Sequence, residues 1–107
     1  MVTTALNTAK GNLSLPEFCF SMDRIKGLDE VQKAKKDVRE SIGRGLKTLD
    51  LDFRSVRGVS SDIINFLIWC QMECNRNGVL LTARHVDPQM LRIFRFAGLN
   101  QVIEFRD

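Results

Sequence analysis

After Leu28 the apolar residues of this chain switch repeatedly between a helical and an alternating period, and that succession restricts the fold more than any single motif. Leu28, Val31, Val38 and Ile42 fall on one stripe at helical spacing, and Gly43-Arg44-Gly45 ends the helix. Leu49, Leu51 and Phe53 then alternate with Asp50 and Asp52, the pattern of a strand with one strongly apolar face. A second helix is expected from about Ser61 to Arg76, with Asn77-Gly78 as its left-handed exit and Val79 to Ala83 as the next strand. Asp87 is placed to cap a third helix that has Pro88 in its first turn, Gly98 at its end and Leu99 folding back as an apolar contact. Val102 to Phe105 reads as a last short strand. Strands joined through helices require right-handed crossovers, hence a largely parallel sheet.

Before Leu28 the pattern is strand-like. Thr3 to Thr8 and Leu13 to Phe20 flank a turn at Lys10-Gly11-Asn12, and Pro16, which cannot donate to a ladder, marks an edge or interrupted strand. Such a hairpin adds antiparallel edge strands. The expected fold is therefore α/β, a mixed, mostly parallel sheet of four to five strands with helices packed on it, formed by residues 1–107 as a single domain. Binding surfaces in such sheets lie beyond the carboxyl ends of the strands, which brings together the loops Arg54 to Ser60 and Arg84 to Asp87.

Composition narrows the chemistry. With 107 residues, 44% of them hydrophobic and 27% charged, the chain has the profile of a soluble globular domain. No apolar run approaches the roughly 20 residues of a membrane helix, since Asn65 interrupts the longest, Ile63 to Cys70. The first residues, Met1 to Leu6, lack the pattern of a secretion signal, so a cytoplasmic location is the default expectation. Cys19, Cys70 and Cys74 all sit in apolar segments and read as core or near-core thiols. Cys70 and Cys74 lie one helical turn apart, but no second pair accompanies them and His85 is the only histidine, so no metal site is expected. The formal charge of +3 owes most to Lys33, Lys35, Lys36 and Arg39, yet Asp29, Glu30, Asp37 and Glu40 interleave with them as on a solvated helix face.

No Gly-rich phosphate loop, nucleophile elbow or histidine-bearing triad is present, so neither an enzyme nor a cofactor site is expected. Phe94 and Phe96 flank Arg95, an aromatic-basic alternation able to stack on single strands, but helical spacing assigns Met90, Phe94 and Ala97 to a core stripe. Without a concentrated basic stripe, nucleic acid is not an expected partner.

On the second helix, at about 100° per residue, Ile63, Leu67, Cys70 and Cys74 gather on one side with Ile64 beside them. The opposite side carries Asp62, Asn65, Glu73 and Arg76, and Trp69 and Met72 fall in its middle. Trp69 either packs under a neighbouring helix or anchors a protein interface, where Met72 and Phe66 would enlarge the patch.

Leu49-Asp50-Leu51, Ser60-Ser61 and Phe94 to Leu99, in that order and spacing, resemble the STAS family, the sulphate-transporter and anti-sigma-factor-antagonist domains, over roughly residues 13–107. They are similar to the family's strand with an aspartate between apolar residues, its Asp-Ser-Ser turn and its closing helix with Gly-Leu. This chain departs from the turn pattern, with Val59 before the serines and Asp62 after them. Aligned backwards from Asn77-Gly78, Ser60 takes the family's phosphoacceptor position and Ser61 is second; aligned forwards from the strand, Val59 falls there. The resemblance implies a stand-alone bacterial regulatory module that switches partners by reversible serine phosphorylation. The implied partners are an anti-sigma factor or serine-kinase-like protein and a cognate phosphatase. The resemblance puts docking broadly at the serine turn and the second helix, and with the helical wheel and the loop placement the expected partner-binding residues are Ser60, Ser61, Asp62, Asn65, Phe66, Trp69, Met72, Arg84 and His85. A serine here also has a purely structural use as a helix cap. Two other readings stay open: an unphosphorylated STAS-like subunit of a membrane transport ATPase complex, and a small α/β enzyme with an unrecognised site.

Overall fold

The computed structural model describes residues 17–99 and 103–106. In chain order these form β1 (Glu17–Ser21), a single 3-10 turn (Met22–Arg24), α1 (Leu28–Gly43), β2 (Thr48–Asp52), α2 (Ser61–Asn77), β3 (Leu80–Arg84), α3 (Pro88–Phe96) and β4 (Glu104–Arg106). The fold is α/β. The four described strands lie in the order β1-β2-β3-β4, every neighbouring pair parallel. Each crossover steps the same way across the sheet, and right-handed connections that step one way put their helices on one face.

That face holds the core. Phe20, Leu49, Leu51, Leu81 and Ala83 point toward the helices and are buried with Val31, Ala34 and Val38 of α1, Phe66, Leu67, Cys70 and Cys74 of α2, and Met90 and Phe94 of α3. Aromatic rings run through it in two chains. Phe20 meets Phe66 at 5.7 Å and Phe66 stacks on Trp69 at 6.0 Å; Phe53 meets Phe94 at 5.6 Å, which stacks on Phe105 at 6.2 Å. Helix ends follow their caps. Ser60 and Asp87 accept the backbone N–H three residues on, from Ile63 and Met90, and Gly78, at φ +68°, makes the left-handed exit from α2 that a Cβ would strain.

Several expectations need correction. The hairpin strand at Thr3 to Thr8 lies outside the described residues. Its expected partner, Leu13 to Phe20, appears as β1 from Glu17 and pairs parallel to β2, so the described sheet is parallel throughout and not mixed. Leu28 starts α1 but is exposed, and Ala34 takes its place on the buried stripe; Ala97 lies beyond α3 and is likewise exposed. Cys19 is exposed on β1 and not a core thiol.

Asp50 departs most from the alternation. It points away from the helices, where a solvated carboxylate would be expected, yet its exposure is 0%. The Thr82 hydroxyl donates to its Oδ1 at 2.6 Å, and Arg84 Nε lies 2.6 Å from Oδ2 as an ion pair, with its N–H poorly aligned for a hydrogen bond. The Cys19 thiol approaches Oδ2 at 3.6 Å. One buried carboxylate thus ties β2 to both of its neighbours. Asp50→Ala strands the Thr82 hydroxyl and the Arg84 charge together, so it should destabilise the fold by about 2–4 kcal/mol. Urea titration should show a lower midpoint at an unchanged slope.

Candidate functional site

Parallel register sets which loops meet. With Asp52 opposite Arg84, the chain leaves β2 and β3 at the same edge of the sheet. The β2–α2 and β3–α3 loops are then joined there. Phe53 N donates to Arg84 O at 3.0 Å, and Arg54 Nη2 donates to His85 Nε2 at 2.9 Å. A guanidinium only donates, so Nε2 accepts and the His85 proton sits on Nδ1. His85 adopts φ +60°, a left-handed conformation costly for a residue with a Cβ, which turns its ring out of β3.

The serine turn closes the first of these loops. Ser60 is exposed and extended (φ −92°, ψ 165°), and its hydroxyl accepts from Ile63 N at 3.2 Å while its carbonyl accepts from Ile64 N. Ser61 follows as the first helical residue, also exposed, and Asp62 lies half-buried in the first turn. Four N–H groups at a helix start have no intrahelical acceptor, and their dipoles favour negative charge. Ser60 and Asp62 use both properties.

Of the residues expected to bind partners, Ser60, Ser61, Asn65, Met72 and His85 are exposed. Phe66 is not available: it is fully buried between Phe20 and Trp69. Arg84 is not a loop residue but the end of β3, committed to Asp50 on the sheet face away from the helices. Trp69 is half-covered, with Arg39 Cζ 5.2 Å and Lys35 Nζ 5.6 Å from its ring centroid, both from α1. Of the two readings of Trp69, the geometry matches packing under a neighbouring helix. Glu73, assigned to the solvated side, is buried and pairs with Arg76. These shifts have one cause: α1 covers the Phe66–Trp69–Glu73 flank of α2. The outward ridge of α2 is instead Ser61, Asn65, Ile68 and Met72, at spacings of four, three and four residues, and Ile68 is the docking candidate missed. Its helical position alone set it beside Met72.

The thiols are held protonated. Burial pushes Cys70 well above the usual thiol range, with Cys74 beside it adding to the effect, and burial raises Cys74 to about 11. Partial burial and then the Asp50 carboxylate raise Cys19. Among the described residues no group of three His, Cys, Asp or Glu side chains is arranged to hold a metal ion, and no helix is long and apolar enough to cross a membrane. Comparison with protein-family models, with curated proteins and with solved structures returned no match.

Two measurements follow. Trp69→Ala should lower stability by about 2–3 kcal/mol, because it uncovers Phe66, whereas Met72→Ala should change it by less than about 0.5 kcal/mol. Folding raises the Cys74 pKa from 9.0 to about 11, so the unfolded chain releases its proton first. Stability is therefore full below pH 9.0 and falls as pH rises toward about 11, and Cys70 extends the loss upward. Urea midpoints across that range should decline, and a Cys70→Ala/Cys74→Ala variant should decline less.

Proposed function

We propose that this chain is a non-enzymatic, cytoplasmic protein-docking module of the STAS type, whose partner is controlled by phosphorylation at the start of α2. Ser60 is the first acceptor and Ser61 the second. The partner is an anti-sigma factor or another serine-kinase-like protein, with a phosphatase to reverse the modification. The observation that carries this reading is the pairing of two exposed serines with the N-terminus of α2, at the edge where the β2–α2 and β3–α3 loops meet.

A phosphate at that point gains from the free N–H groups and the helix dipole, so its charge of about −1.5 to −2 is tolerated by the fold. The same charge and bulk alter the surface that a partner must cover. Switching is then local: the ridge Ser61-Asn65-Ile68-Met72 begins one residue after Ser60, and the buried core beneath it is untouched. Asp62 and the engaged Ser60 hydroxyl favour a second reading, a constitutive docking module whose helix dipole is already satisfied without phosphate.

Phosphopeptide mapping of the protein isolated from its source organism separates the two. Phosphate on Ser60 or Ser61 is the expected result, and serines that stay unmodified in every growth condition would remove the switch. Ser60→Asp should retain the cap and the melting temperature, because aspartate caps as well as serine, while mimicking the modified state toward the partner.

A further inference from the structure

The three helices meet solvent in two different ways. α1 exposes Asp29, Glu30, Lys33, Lys36, Arg39 and Glu40, both signs mixed, as a face that remains in water does. Every exposed ionisable residue of α2 and α3, by contrast, is an arginine: Arg76, Arg92 and Arg95. Glu73 is buried against Arg76 and neutralises it, Asp62 is half-buried in the first turn of α2, and the exposed Asp87 is engaged as the N-cap of α3, which leaves Arg92 and Arg95 as the uncompensated charges. Among the described residues, neither Arg92 nor Arg95 has an acidic partner.

Large apolar side chains are exposed on the same two helices. Ile68 and Met72 stand on α2, Met72 at 61% exposure; Ile93 and Phe96 stand on α3, and the Phe96 ring is 96% exposed. The two helices are consecutive crossovers of the sheet, α2 from β2 to β3 and α3 from β3 to β4. A recess of about 90 Å³ lies at the α3 side of the serine turn, lined by Arg57, Val59, Asp87, Gln89, Met90 and Ile93, with the Asp87 carboxylate turned to its own cap bond with Met90 N. It is large enough for one small apolar group.

We propose that the outward faces of α2 and α3 form one docking surface for an acidic amphipathic protein segment. Its apolar side chains would cover Ile68, Met72, Ile93 and Phe96, and its carboxylates would pair with Arg92 and Arg95. Arginine suits the task, since its planar fork takes a carboxylate bidentately and is weakly hydrated. Charge complementarity selects the acidic partner, and the recess beside Ile93 selects a protein with a side chain to insert. An anionic membrane fits less well, because the basic clusters that read lipid headgroups carry about four to eight Lys or Arg. A nucleic acid leaves the apolar row unmatched.

This inference rests on the chain being a docking module and does not need the serine switch. It does deepen that reading: a phosphate on Ser60, next to Val59 of the recess, repels an acidic partner.

The test is selection from a displayed random-peptide library on the intact protein, read against an Arg92→Glu/Arg95→Glu/Phe96→Ser variant. All three side chains are exposed, so the variant should keep the wild-type circular dichroism and urea midpoint; an Ile68→Ser/Met72→Ser variant gives an independent reading on α2. Expected are peptides combining Asp or Glu with Leu, Phe or Trp, binding each variant at least about tenfold more weakly than wild type. Enrichment without acidic bias, equal binding by the variants, or no enrichment overturns the surface. So does binding to phosphatidylserine-containing vesicles that the same variants lose. Equal binding by the variants with acidic peptides would leave the docking module standing and displace only its site, while phosphopeptide mapping judges the switch separately.

Discussion

The buried carboxylate of Asp50 fixes where everything else in this structure sits. It lies on the central strand β2, accepts from Thr82 directly across on β3, pairs with Arg84 two residues further along and meets Cys19 across on β1. A slip of one residue between β2 and β3 would turn an apolar row to the wrong face, and the hydrophobic pattern forbids it. A slip of two keeps that pattern intact, so hydrophobicity alone does not exclude it. Moved by two residues toward the start of β3, Asp50 faces Leu80 and loses its hydroxyl donor while remaining buried. Burying an unpartnered carboxylate is costly enough to disfavour that slip.

That register is what assembles the candidate site. Because Asp52 stands opposite Arg84, the loops after β2 and β3 leave the sheet together, and the Arg54–His85 contact joins them. The serine turn then enters α2 from this edge, and α3 starts beside it at Asp87. Ser60 and Asp87 use the same physics, a short oxygen-bearing side chain accepting from an orphan N–H, but only the β2–α2 loop ends in two consecutive exposed serines.

The alternation of periods made the helices and strands legible from sequence, because each boundary carries a local cause: Gly45 and Gly78 at positive φ, Asp87 with Pro88, Ser60 before an apolar run. The direction of β1 was not legible, since a strand preceded by Gly and Pro reads equally as half of a hairpin. The burial of Asp50 was not legible for a related reason. Period two tells that Leu49 and Asp50 face opposite ways, but nothing local tells that both ways are buried. The burial of Phe66 and the choice between the two readings of Trp69 were out of reach on the same ground, for a helical wheel orders residues around α2 without knowing that α1 covers one flank. Once α1 is placed, the apolar residues left over are Ile68 and Met72.

What remains exposed after packing is what the fold does not account for. Phe66 and Trp69 contribute to the fold through Phe20 and the α1 cations, so their apolar character is accounted for. Ile68, Met72, Ile93 and Phe96 contribute no comparable burial, and a domain that needed only to fold would lose nothing by carrying polar residues there. They share their helices with arginines and with no exposed acid, while α1, equally exposed, carries both signs. A surface shaped only by solubility has no reason to treat its helices so differently. The serine turn opens α2 and Asp87 opens α3 at the same edge of the sheet, so among the described residues the two helices whose outward composition differs from that of α1 both start beside Ser60.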